Sequence, residues 1–150
     1  MFWACFSWAG RGGLWPLPKG RMMDAALYQE VLRVRDHLVP FMERHGTTMF
    51  LQDGAPPHRA KTTKAYLATL PYEIIKWPGN SPDLNPIENC WNLMKDQLKE
   101  TNHRNLKELE EDVKKLWCTA TPTEYLRELI RSMPRRMAKV IDRGGALTKC

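Results

Sequence analysis

No stretch of this 150-residue chain is apolar for long enough to cross a bilayer, which takes about 20 residues. Residues 1–8 form an apolar run, but no basic segment precedes them as it would in a secretory leader. Neither secretion nor a membrane is expected. Close cysteine pairs are missing as well. Cys5, Cys90, Cys118 and Cys150 are scattered, without the neighbouring thiols or histidines of a zinc site, and are expected to be reduced thiols of a cytosolic or nuclear protein. There are no internal repeats, and no linker is long enough to divide the chain into independently folding parts.

What is present suffices for one core of ordinary size, since 43% of the residues are hydrophobic. The formal charge is +6, and most of it is gathered at one end. From Leu126 onward, Arg127, Arg131, Arg135, Arg136, Lys139, Arg143 and Lys149 face only Glu128 and Asp142, a net of +5. Such a patch suits DNA phosphates, whose neutralisation releases counterions and gives affinity without sequence preference. Arg127, Arg131 and Arg135 recur every four residues, so one helical face would follow a DNA backbone. Pro134 is expected to start a new helix and interrupt that stripe. A soluble basic surface is the plain alternative.

Residue patterning gives the elements. Met1–Ser7 and Leu14–Leu17 are expected as two strands around a glycine-rich turn at residues 9–13. Asp24 is expected to cap one long helix, marked by Leu27, Val31, Val34 or Arg35, and Leu38, that runs until Gly46. A short strand ending at Asp53, a loop through Gly54-Ala55-Pro56-Pro57-His58, a helix over about 61–70 and a strand at 73–75 follow. Asn85 then serves as N-cap and Pro86 as the first residue of a helix with Ile87, Trp91, Met94 and Leu98 inward. Glu88, Asn92, Lys95 and Lys99 fall on its polar stripe. Leu106, Leu109, Val113 and Leu116 mark another helix, Thr121-Pro122-Thr123-Glu124 reads as a capping box opening the next, and Gly144-Gly145 stops the last.

Two carboxylates stand in contexts that fit metal-dependent phosphodiester chemistry. Asp53 ends the apolar run Met49-Phe50-Leu51-Gln52 and would project from a strand's carboxyl end, where open α/β sheets place their sites. Glu88 lies in the first turn of the Asn85–Pro86 helix, with thirty-four residues between the two acids. A pair of divalent ions about 4 Å apart activates the attacking oxygen and neutralises the leaving one, and carboxylates hold such ions. Each residue also has a plain reading. Asp-Gly is a common turn dipeptide, and Asn85 followed three residues later by Glu88 is a capping box. His58 would orient a water or touch DNA, or is simply a polar loop residue. Asp83 is expected to be a structural turn residue.

The segments Phe50-Leu51-Gln52-Asp53-Gly54-Ala55-Pro56-Pro57-His58-Arg59-Ala60 and Trp77 through Trp91, at that interval, resemble the catalytic domain of Tc1/mariner-type transposases, a branch of the DDE transposases. The stretch from Ser132 through Gly144-Gly145 to Thr148-Lys149 resembles the end of such proteins. The resemblance implies an α/β, RNase H-like fold, a mixed sheet flanked by helices, with an added carboxyl-terminal helical region. It makes Asp53 the second and Glu88 the third metal-binding acid, with Mg²⁺ or Mn²⁺ as cofactor and DNA strand cleavage and transfer as the activity. Gly54 stands where many relatives carry asparagine. In the family the first acid lies on the sheet's first strand, ahead of a segment resembling Met1–Ser7. That strand and that acid have no counterpart here. Upstream of Asp53 the acids are Asp24, Glu30, Asp36 and Glu43, all in or beside the helical stretch.

The expected organisation is a partial catalytic domain over residues 1–103 and a basic helical extension over 104–150 packed on the same domain. The expected chain is an amino-terminally truncated or domesticated form that is not stable alone. Expected DNA contacts are Lys95, Lys99, Arg127, Arg131, Arg135, Arg136 and Lys139. A homodimer or an intact transposase is the expected protein partner, the nucleus the compartment, and no small-molecule substrate or membrane is involved. Two other classes remain at this stage: a catalytically dead DNA-binding remnant, with salt-sensitive binding and no cleavage, and a protein-interaction remnant without DNA affinity.

Overall fold

The computed structural model describes residues 1–34, 37–77, 81 and 84–145. Arg35, Asp36, Asp83, Thr148, Lys149 and Cys150, which entered the sequence reading, lie outside the described residues. The chain divides into two compact units, residues 1–5 with 12–80 and residues 6–11 with 81–150.

A two-stranded hairpin opens the chain, β1 (Phe2–Ser7) and β2 (Gly10–Pro16). The turn is tighter than expected. It occupies Trp8 and Ala9, and the glycines expected in the turn lie in β2 instead. Gly10 has φ +134°, a conformation that other residues adopt only with strain. Gly12 is there for space, because a Cβ at that position would collide with Cys5 Sγ. Burial pushes the Cys5 thiol up to about 12, so it is a packing group rather than a nucleophile.

Asp24 caps α1 (Ala25–Arg33), its Oδ1 accepting from Leu27 N at 2.8 Å. The single helix expected to reach Gly46 is in fact two, because α2 spans Leu38–His45. In an unbroken helix Pro40 would lack the N–H that closes an i→i−4 bond and would press on the preceding turn. With a new start at Leu38, Pro40 falls in a first turn, where helical N–H groups have no acceptor. Val34 leaves α1 with extended backbone, and His37 fills the break, buried, with Nδ1 3.1 Å from Val31 O. Gly46 ends α2 in the left-handed conformation, as expected of a glycine at a helix end.

β3 (Met49–Phe50) and β4 (Glu73–Ile74) pair in parallel, Met49 with Glu73 and Phe50 with Ile74. They form a sheet separate from the β1–β2 hairpin. Between these strands lie α3 (Pro56–Arg59), where a loop was expected, and α4 (Lys61–Leu67). Pro56 and Pro57 explain α3, since prolines in the first helical turn sacrifice no hydrogen bond. Tyr28, Leu32, Leu38, Met42, Phe50 and Leu67 form the core of this unit.

The second unit is helical: α5 (Pro86–Leu98), α6 (Leu106–Thr119), α7 (Thr123–Arg131) and α8 (Met133–Asp142). α5 packs on α6 and α7, and α7 on α8. Cys90, Met94, Val113, Trp117, Leu126 and Leu129 are buried, and Trp91 stacks on Trp117 at 5.7 Å. The capping box expected at Thr121–Glu124 does not form. Thr121 is buried and donates back to Trp117 O at 2.5 Å, while α7 starts after Pro122 without a side-chain cap. A side-chain cap does form at α6, where Asn105 Oδ1 accepts from Glu108 N and Glu108 accepts from the N–H of Arg104, one residue before the cap. Among the described residues, no helix is long and apolar enough to cross a membrane.

Candidate functional site

Regular pairing of β3 ends at Phe50, and Asp53 lies three residues beyond its carboxyl end. The ladder is extended on both sides by Glu73 N–H to Thr48 O and Ile75 N–H to Phe50 O, each 2.8 Å. Asp53 then folds the loop back on itself, Oδ1 accepting from Ala55 N at 3.0 Å. This is the turn role expected of Asp-Gly, and it uses one carboxylate oxygen only. The same Oδ1 is 2.6 Å from His58 Nδ1, and Nδ1 is also 3.3 Å from Asp53 O. Oδ2 has no hydrogen bond or ion pair among the described residues, and the Asp53 side chain is half exposed. One oxygen serves the fold and the other remains available to a cation.

The hydrogen bond from His58 holds the Asp53 carboxyl below the usual carboxylate range, with further help from the Ala55 N–H, against an opposing effect of partial burial. A carboxyl depressed in the folded state contributes stability above its unfolded pKa of about 3.9 and loses it as pH falls through the lower folded value. In an NMR titration of the metal-free chain, Asp53 is expected to titrate below an exposed aspartate, and His58→Ala to move that midpoint upward. An unchanged midpoint in His58→Ala would contradict this electrostatic account.

His58 is braced in turn. Its ring lies 4.0 Å from that of Tyr28, tilted by 32°, and the Tyr28 hydroxyl donates to Gln52 Oε1 at 2.6 Å. Tyr28 is fully buried in α1, and burial drives its phenol far up, so it stays protonated and donating. Sequence reasoning assigns His58 only a minor place and misses Tyr28 and Gln52. A histidine five residues after the acid is the available signal for His58, whereas Tyr28 is distant in sequence and carries none.

Glu88 occupies the first turn of α5, at the positive end of the helix dipole. Asn85 caps by backbone geometry alone and makes no side-chain hydrogen bond to the helix, so the capping box that offered a plain explanation of Glu88 is not formed. The Glu88 carboxylate has no hydrogen bond or ion pair among the described residues. Asp53 belongs to the first unit and Glu88 to the second. Among the described residues, no group of three or more His, Cys, Asp or Glu side chains gathers as a metal cluster. Asp24 is spent on its cap, and Glu30 and Glu43 sit on α1 and α2.

The basic residues divide into two kinds. Lys95, Arg135 and Lys139 are exposed, with side chains that make no ion pair among the described residues, while Lys99 is exposed and pairs with Asp96 at 2.6 Å. Arg127 and Arg131 are engaged instead. Arg127 Nε donates to Trp8 O at 3.1 Å, Arg131 pairs with Glu124 at 2.6 Å, and both guanidinium groups lie over the Trp8 ring. Arg136 corrects the sequence reading. It is 5% exposed and donates to Ser132 Oγ and Asn89 Oδ1, both at 2.8 Å, so it ties α8 to α5 and is not presented to phosphates.

A family model described as DDE superfamily endonuclease matches residues 22–110. The Tcb2 transposase of Caenorhabditis briggsae is 30% identical over 99% of this chain, and the Tc1 transposase of Caenorhabditis elegans 29% over 99%. In both cases the match covers 54% of the relative, so the chain spans about half the length of these transposases. The structure superposes on the Mos1 transposase catalytic domain, solved with Mg and raltegravir, with a TM-score of 0.81 at 24% identity, over 97% of this chain and 75% of that one. Mos1 in a strand transfer complex gives a TM-score of 0.82 at 24% identity, over 97% and 43%. This likeness establishes the RNase H-like fold. The chain belongs to the DDE superfamily endonucleases, as a catalytic-domain sequence of the Tc1/mariner transposase branch.

Proposed function

We propose that the chain binds Mg²⁺ or Mn²⁺ through Asp53 and Glu88 and takes part in DNA strand cleavage and transfer during transposition. The observation that carries this reading is the half-exposed, unpartnered Oδ2 of an ionised Asp53 just past the end of a parallel strand. It is supported by the bare Glu88 carboxylate at a helix N-terminus and by the Mos1 catalytic domain having been solved with Mg and with Mn. Bound divalent ions would supply charge neutralisation at the attacking and leaving oxygens of a phosphodiester. The protein's own contribution is to hold the Asp53 carboxyl below the usual carboxylate range through His58, and to hold DNA. Lys95, Lys99, Arg135 and Lys139 are exposed for phosphate contact, and Arg127 and Arg131 lend positive potential from their place around Trp8. Residues 1–103 act in this reading as the catalytic portion and 104–150 as the basic helical extension packed against α5. DNA is the substrate, a second transposase copy the protein partner, and the nucleus the compartment.

Supercoiled plasmid incubated with the chain and Mn²⁺ or Mg²⁺ tests it. Nicking is expected to disappear in Asp53→Ala and in Glu88→Ala. Nicking retained in both variants would place the activity elsewhere. A second reading, DNA binding without cleavage, rests on the exposed Lys95, Arg135 and Lys139. Its signature is plasmid retained at low salt and released at high salt, with no nicks.

A further inference from the structure

We propose that His58 and Tyr28 are positioning residues that restrict Asp53 to single-oxygen metal ligation through Oδ2, an inference that rests on the metal reading above. His58 Nδ1 lies within hydrogen-bonding distance of Asp53 Oδ1 and close to Asp53 O, and both of these are acceptors. Nδ1 therefore carries the proton, which fixes the tautomer of a neutral imidazole as Nδ1–H. Oδ1 already accepts the Ala55 N–H, so its two ordinary acceptor directions are filled. A cation can take both oxygens only by displacing one of these donors.

The arrangement is rigid for reasons that lie outside the loop. Tyr28 comes from α1, is 0% exposed, and touches the neighbourhood of Asp53 at two points. Its ring lies against the imidazole at 4.0 Å, and its hydroxyl ties Gln52, the residue immediately before Asp53. His58 stands on α3, whose start is fixed by two prolines. Outer groups that orient a ligand in this way are worth about 10–100-fold in metal affinity when removed. They also select among cations. Mg²⁺ and Mn²⁺ accept one carboxylate oxygen in octahedral geometry, whereas Ca²⁺ often takes a carboxylate through both.

Calorimetric titration of the full chain with Mn²⁺ and with Ca²⁺, together with ¹⁵N NMR of the metal-free imidazoles, tests the proposal. His58→Ala is expected to weaken Mn²⁺ by about 10–100-fold and to narrow its advantage over Ca²⁺. His58→Asn, whose amide places a donor near the position of Nδ1, recovers most of the loss. Tyr28→Phe keeps the ring stack, loses the Gln52 link, and gives a smaller decrease. Unfolding curves establish that each variant is folded. Mn²⁺ affinity unchanged in His58→Ala but lost in Asp53→Ala overturns the proposal and leaves the metal reading intact, and an Nε2–H tautomer overturns it independently of any metal. Mn²⁺ binding that is absent, or that survives Asp53→Ala, removes the metal reading and this inference with it.

Discussion

Trp117→Ala is expected to lower the unfolding free energy of the α5–α8 unit by about 3–5 kcal/mol, the cost of truncating a buried large aromatic. Trp117 is 3% exposed and lies where α5 meets α6, its ring 5.7 Å from that of Trp91 and inclined by only 22°. Offset aromatic pairs contribute roughly 0.5–1.5 kcal/mol beyond their area. The helices can close on the resulting cavity only partly, because Thr121, just after α6, is tied to the Trp117 carbonyl. Trp91 is half-buried, so Trp91→Ala should cost less than Trp117→Ala. Leu106, exposed at the start of α6, is the control, and its replacement by alanine stays within about 0.5 kcal/mol. Urea unfolding followed by far-UV circular dichroism reads all three. A Trp117→Ala midpoint shift no larger than that of Leu106→Ala would show that the α5–α6 packing is not where the stability of this unit lies.

The parts of the fold and site that are legible in the sequence are those set by short-range chemistry. Asp24 as a cap, Gly46 as a left-handed stop, Pro86 opening α5 and the Asp53 turn all depend on residues within one turn of each other. Breaks governed by a residue inside an apolar pattern are harder to see. Leu27, Val31 and Leu38 keep helical spacing across the α1–α2 break, so periodicity alone joins two helices that Pro40 and the buried His37 keep apart. Thr121 carries a cap sequence, yet its hydroxyl bonds back to the Trp117 carbonyl four residues earlier, a local alternative that Thr offers the backbone. The residues that hold Asp53 come from both ranges. His58 is near in sequence, and its spacing from the acid is visible without a structure. Tyr28 sits on another helix and becomes relevant only because α1 packs on α3. The carboxyl-terminal arginines show the same limit, since charge patterning reports that a residue is basic and not whether packing leaves it in water.

Arg136→Ala is accordingly expected to act on stability and not on DNA affinity. Its guanidinium bridges Ser132 Oγ on the approach to α8 and Asn89 Oδ1 on α5, and its aliphatic stem is enclosed. Removing it leaves the Asn89 carbonyl short of a donor in a part-buried place and opens a void along the stem, together about 2–3 kcal/mol. Asn89→Ala tests the same link from the other side and should cost less than Arg136→Ala, because Arg136 keeps its bond to Ser132 Oγ. Replacing both by apolar residues of similar size, Arg136→Met with Asn89→Leu, should recover part of the loss, since the Asn89 amide is no longer stranded while Ser132 Oγ keeps its bond to Leu129 O. DNA binding separates the two roles. Arg135→Ala and Lys139→Ala are expected to leave the urea midpoint within about 0.5 kcal/mol of wild type, and for every phosphate no longer neutralised the slope of log K against log salt should flatten by about 0.9. Arg136→Ala, measured where it is still folded, should keep the wild-type slope. A flatter slope for Arg136→Ala with an unchanged urea midpoint would mean that α8 turns over to present this arginine to DNA, and that the Asn89 link breaks when the nucleic acid arrives.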